Sequence, residues 1–180
     1  TATGGGTDYS VSSSTLNITA GTTTANITIT VNNDNSDESD ETVIITMGVP
    51  TNAIASGILT HTATITDDDN PPTVTLGLAG SPLAENGGGA TVTATLSAVS
   101  TLPVTVDLVF AGTATLTSDY TRSGTSITIP AGSLSGSITL TAVQDTRNEA
   151  NETIVVDINA VLNGTESGSQ QVTATITDDD

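Results

Sequence analysis

The chain has 180 residues, with 20 Asp and Glu against 2 Lys and Arg, a formal net charge of −18, one His and no Cys. Charge of that sign and size argues against nucleic acid and anionic membrane as partners, since both are polyanions. The lack of Cys excludes disulfide staples and thiolate metal sites, and zinc would find only one soft ligand, His61.

The two bases, Arg122 and Arg147, are too few to neutralise the carboxylates internally, so a cation from solution is the expected counter-charge. Apolar runs such as VIITM (43–47) and VDLVFAG (106–112) are far too short to span a bilayer, and direct membrane insertion is not expected. No signal or lipidation motif is visible, although the chain reads as an excerpt of something longer.

In chain order, the first element to emerge is a repeat. An offset of 111 residues aligns 9–69 with 120–180 without a gap, and 23 of the 61 positions are identical. TDYS (7–10) meets SDYT (118–121), ITAG (18–21) meets IPAG (129–132), and DNSDESDET (34–42) meets DTRNEANET (145–153). The chain is therefore part of a tandem array, and neighbouring repeats are the first expected partners.

Residues 1–69 form a partial copy. TAT at residue 1 matches TAT at 113, so counterparts of residues 70–112 do not occur in this sequence, and four strands with an open apolar face remain. Such a set is not expected to stand alone. A cut from a longer array is the favoured reading; the alternative is that another chain supplies the strands.

Residues 70–180 form a complete copy. Its Thr, Val, Ile and Ser content, with turn residues at regular intervals, predicts seven strands near 73–79, 89–96, 102–110, 125–129, 136–143, 153–160 and 171–177. Alternation such as Ile127/Ile129 and Val172/Ala174/Ile176 marks half-buried strands. The expected fold is all-β: tandem immunoglobulin-like seven-stranded β-sandwiches, the first copy keeping only the counterparts of the fourth to seventh strands.

The acids follow from strand parity. Successive strands run antiparallel, so the first–second, third–fourth and fifth–sixth connections fall at the end where the seventh strand finishes. Glu85 lies in the first of these connections, Asp119 in the second, Asp145, Glu149 and Glu152 in the third, and Asp178, Asp179 and Asp180 follow the last strand. In the first copy Asp8, Asp34, Asp37, Glu38, Asp40, Glu41, Asp67, Asp68 and Asp69 hold the matching places. Seventeen of the 20 acids thus gather at one end of their unit, where a hard cation with six to eight oxygen ligands relieves their repulsion. Calcium suits such multi-loop, variable geometry better than magnesium. Acidic loops that only keep the surface soluble are the bland alternative, but simple solvation would spread acids along the exposed strand faces.

Catalysis finds little support. His61 sits where the second copy has Val172, and a single unrepeated imidazole makes no triad. Paired carboxylates could hydrolyse glycosides, yet 2% aromatic content leaves little to stack a sugar ring. ENGGGA (85–90) lacks the Lys and following helix of a phosphate loop, and the chain is read as not an enzyme. Asn17, Asn26, Asn151 and Asn163 head N-x-Thr sequons, frequent by chance in a threonine-rich chain. Tyr9 and Tyr120 are expected to pack their loops.

LAENGG (83–88), GTATLTSDYT (112–121), ITIPAGSLSGSITLTAVQDTRNEANETIVVDI (127–158) and ATITDDD (174–180) together resemble the Calx-beta family, found in the regulatory region of sodium–calcium exchangers, in an integrin subunit and in long bacterial surface proteins. The resemblance implies calcium as the bound ion. By motif it places ligands at Glu85, Asp119, Asp145, Glu149, Asp178, Asp179 and Asp180, and in the first copy at Asp8, Asp34, Glu38, Asp67, Asp68 and Asp69. Where the richest calcium-binding members carry adjacent aspartates, this chain has Gln144 and Asn33 beside Asp145 and Asp34, which implies fewer ions or weaker affinity.

The resulting expectation is a calcium-binding structural repeat of a large secreted or cell-surface protein, a bacterial adhesin or extracellular filament, with calcium stiffening the junctions between repeats. Self-assembly or a surface carbohydrate is a further partner this reading allows. A calcium-sensing regulatory module and a carbohydrate- or partner-binding accessory module are the alternatives.

Overall fold

The computed structural model describes residues 1–180. It has no helix, and its strands are β1 (Tyr9–Val11), β2 (Ile29–Val31), β3 (Glu41–Thr46), β4 (Thr60–Ile65), β5 (Thr73–Ala79), β6 (Leu83–Ala84), β7 (Gly89–Leu96), β8 (Val104–Gly112), β9 (Tyr120–Arg122), β10 (Ser126–Ile129), β11 (Ser135–Ala142), β12 (Glu152–Leu162), β13 (Thr165–Glu166) and β14 (Gln171–Thr177). The chain divides into two compact units, Thr1–Asp69 and Asn70–Asp180.

The second unit is a sandwich of two five-stranded sheets, ordered β13-β5-β7-β11-β9 and β10-β8-β12-β14-β6. Alternation in sequence becomes alternation in burial. Val104, Val106 and Leu108 of β8 and Ile127 and Ile129 of β10 point inward, while Thr105 is half-buried and Asp107, Ser126 and Thr128 are exposed. They meet Val74, Val92 and Leu140 from the opposite sheet, and Ile154, Val156 and Ile176 complete the centre. Each such side chain contributes about 1.5–3 kcal/mol on burial, which offsets the ordering of a small sandwich without disulfides.

The seven expected strands are all present, and three short ones join them. Leu83–Ala84 pairs parallel with the end of β14, Thr165–Glu166 parallel with β5, and Tyr120–Arg122 antiparallel with β11. The third strand runs from Val104 to Gly112, two residues later than 102–110.

In the first unit, β1 pairs with β2 and β3 with β4. Their registers repeat those of the second unit at the offset of 111: Tyr9↔Val31 matches Tyr120↔Ala142, and Glu41↔Ile65 through Thr46↔Thr60 match Glu152↔Ile176 through Asp157↔Gln171. One expectation needs correction. The counterpart of the fourth strand, residues 15–18, forms no strand, and Leu16 and Ile18 are 47% and 56% exposed where Ile127 and Ile129 are 1% and 0%. In the second unit that strand is held by β8, and the first unit contains no segment matching β8. An unpaired strand edge has no ladder to join. Val43 is the one buried apolar side chain of this unit.

Candidate metal centre

Three connections and the segment after β14 build the acidic end of the second unit. Glu85 immediately follows β6, which lies parallel to the end of β14 with Ile176 opposite Leu83 and Thr177 opposite Ala84. The Glu85 N–H donates to Thr177 O at 3.1 Å, so the glutamate is fixed at the tip of the last strand. Gly88 closes this turn. Its N–H donates to Ala84 O at 2.7 Å, and a Cβ there would lie 2.5 Å from both Ala84 N and Ala84 O. Gly88→Ala is therefore expected to push the Glu85 turn off β14 and to cost about 1–3 kcal/mol, the usual range for forced overpacking. Urea unfolding reads this directly, and an unchanged midpoint would mean the turn relaxes freely.

Asp119 precedes Tyr120, whose ring is buried in the core. Its carboxylate accepts the Thr115 N–H, its N–H donates to Thr115 O at 2.9 Å, and its carbonyl accepts from Val143 N at 2.9 Å. Glu152 opens β12 opposite Ile176. The Glu149 N–H donates to Asp178 Oδ1 at 3.1 Å. Carboxylate oxygens of Asp119, Glu149 and Glu152 lie within 4.8 Å of one another, and those of Glu85, Asp179 and Asp180 form a second such group. Glu85, Asp119, Glu149, Glu152 and Asp178 line one concavity, with Ile176 and Ala150 as its apolar wall.

The first unit repeats the arrangement. Asp8 accepts the Thr3 N–H as Asp119 accepts that of Thr115, and the Asp8 carbonyl accepts from Asn32 N at 2.9 Å as that of Asp119 does from Val143. Asp8, Glu38 and Glu41 form a group within 4.8 Å. Asp8, Asp34, Glu38, Glu41, Asp67, Asp68 and Asp69 share one concavity.

Proton affinity reports the crowding. Burial raises the Glu152 carboxyl from its usual range to about 7, with the Asp119 charge, a hydrogen bond to Asp119 and the charges of Glu149 and Glu85 adding to it. Burial also raises Glu85; a backbone hydrogen bond from Asp145 opposes this, and repulsion from Asp178, Asp145 and Asp180 reinforces it. In the first unit Glu38 is raised by burial and then by Asp34, Asp8, Glu41 and Asp67, and Asp69 by burial and then by Asp68, Asp67, Asp34 and Asp37.

All six residues singled out in the first copy line its concavity. In the second, Glu85, Asp119, Glu149 and Asp178 line the concavity, and Asp179 and Asp180 group with Glu85. Asp145 joins neither three-acid group: its Oδ1 accepts the Arg147 N–H at 2.7 Å, capping its own loop. Asp34 does the same for Ser36 at 2.8 Å. Glu41 and Glu152, absent from the motif-based ligand set, each belong to a three-acid group. Their recurrence at the offset of 111 was the available signal. His61 is exposed on β4 opposite Ile45 and belongs to none of the three-acid groups.

Hard oxygen donors from several loops, among them a Glu152 carboxyl that burial and neighbouring charge raise to about 7, define a β-sandwich repeat whose acidic end suits a hard divalent cation. The Calx-beta domain model matches residues 1–70 and 67–180, and the chain belongs to the Calx-beta family in two adjacent copies. No curated relative matches the chain. Calx-beta domains are calcium-binding β-sandwich modules, a structural and binding family rather than a catalytic one. The donor set fits calcium: carboxylates alone, no nitrogen or sulfur, spread over loops that allow six to eight oxygens at variable angles. When bound, calcium supplies the positive charge that lets these carboxylates stay ionised together.

Proposed function

We propose that the chain is a calcium-stiffened segment of a large secreted or cell-surface protein, such as a bacterial adhesin or extracellular filament. The observation that carries this reading is the pairing of acidic ends with the chain's punctuation: Asp67, Asp68 and Asp69 line the first unit's concavity and run directly into Asn70-Pro71-Pro72. Two prolines fix φ and restrict Asn70, so the connection already has few conformations. Calcium held by the preceding three aspartates removes more of them and turns a hinge into a rod.

Millimolar calcium, available outside cells, matches the weak sites of extracellular modules. Neighbouring repeats are the partners this implies, and a net charge of −18 keeps an extended array soluble and separate from anionic surfaces.

Small-angle scattering tests it. The wild-type chain is expected to show a longer maximum dimension and a narrower distance distribution in calcium than in EDTA, and Asp67→Ala with Asp68→Ala is expected to abolish most of that difference. A double variant that extends in calcium like the wild type would overturn the reading.

A further inference from the structure

Arg147 is one of only two basic residues. The other, Arg122, stacks over the Phe110 ring at 4.0 Å from its centroid. Arg147 instead reaches into the acidic end: its Nη1 lies 3.4 Å from Glu149 Oε1, a member of the Asp119–Glu149–Glu152 group. Its side chain is 77% exposed, so it is tethered by the loop yet free to swing into solvent.

The first unit supplies an internal control. Ser36 N donates to Asp34 Oδ1 at 2.8 Å as Arg147 N donates to Asp145 Oδ1 at 2.7 Å, so the two loops share one backbone turn. Glu38 also matches Glu149 and Glu41 matches Glu152, while Asp37 and Asp40 stand where the second unit has Asn148 and Asn151. At a position of common backbone geometry one copy carries a hydroxyl and the other a guanidinium.

Resting on the calcium reading above, we propose that Arg147 is a built-in competitor of the cation at the second unit's site. In metal-free protein its charge offsets that of Glu149 and relieves repulsion within the group. Calcium needs the same carboxylate, so its binding displaces the guanidinium. The second unit therefore tolerates calcium loss better than a serine-bearing version of itself, and binds the ion less tightly than that version.

Calorimetric calcium titration of the whole chain, together with thermal unfolding in EDTA, tests this on Arg147→Ser, which installs the first unit's own residue. An exposed pair of this kind corresponds to about a threefold change in affinity, so Arg147→Ser is expected to bind calcium about threefold tighter and to unfold at a lower temperature in EDTA. Both differences shrink in about 0.5 M NaCl, where charges are screened within a few ångströms. In a Glu149→Gln background, exchanging Arg147 for Ser is expected to leave the EDTA midpoint unchanged, which separates pairing with Glu149 from a general effect of charge. Equal affinity and equal EDTA midpoints for wild type and Arg147→Ser would overturn the proposal while leaving calcium binding intact. If neither protein binds calcium, the calcium reading falls and the competitor role falls with it.

Discussion

In 10 mM calcium the second unit is expected to unfold about 10 °C above its midpoint in EDTA, with magnesium producing a small fraction of that rise. Extracellular calcium modules bind with dissociation constants of about 0.1–1 mM. At the tight end of that range 10 mM is about a hundredfold excess, and an ion that binds only the folded form then adds about 2.7 kcal/mol. For a domain of this size about 1 kcal/mol shifts the midpoint by roughly 4 °C. The transition belongs to Asn70–Asp180, because that unit holds the apolar core, whereas the first buries only Val43 among its apolar side chains. Magnesium is smaller, demands near-octahedral geometry and gives up water reluctantly, so crowded carboxylates drawn from several loops at variable angles serve it poorly. Calorimetry in the three conditions decides the matter. Equal shifts with both metals would show only general charge neutralisation, and no shift with either would leave the acidic ends as solvating surface.

How much of this was legible in the sequence depends on the length of the signal each feature left. Strands such as β8 and β10 declared themselves because alternation over four to nine residues is hard to mistake, and Val104, Val106, Leu108, Ile127 and Ile129 are all buried as that alternation requires. β6 and β13 have two residues and β9 three. No period exists over such lengths, and these segments are strands only because β14, β5 and β11 lie beside them. The converse error came from 15–18, where Leu16 and Ile18 alternate like Ile127 and Ile129 but residues 1–69 hold no β8 counterpart to pair with them. A strand is a property of two segments, and sequence pattern reports one.

The acidic end was legible for a different reason: parity and repetition act together. Antiparallel succession sends alternate connections to one end whatever the details of packing, so Glu85, Asp119 and Asp178 could be placed on one rim before any contact was known. Side-chain direction was not accessible in the same way. Asp145 turns its Oδ1 onto its own loop at Arg147 N, while Glu152, at the first position of a strand rather than in a loop, projects into the group with Asp119 and Glu149. Motif position separates neither case, because the distinction lies in a turn hydrogen bond and a strand boundary.

The second large effect is on pH. The Glu152 carboxyl is raised to about 7, against an ordinary value of 4.5, by burial first and by Asp119 next. Between these two values the metal-free folded protein holds a proton that the unfolded chain has lost. A raised acid of this kind contributes stability that is fully present below about 4.5 and is lost as pH rises through about 7. Metal-free protein is therefore expected to become less stable from pH 5 to pH 8 through this group, with Glu38 and Glu85, also raised, acting in the same direction. Calcium reverses the trend, because the ion must replace the proton it finds. Displacing one proton weakens apparent affinity about tenfold for each pH unit below the carboxyl's own value. Titrations at pH 8, 7 and 6 are expected to show about a twofold loss over the first step and about a tenfold loss in all by the last. Glu152→Gln removes the titrating group, so its weaker binding should depend much less on pH. A wild-type affinity that stays flat from pH 8 to pH 6 would mean that the ion does not compete with a proton at the Asp119–Glu149–Glu152 group.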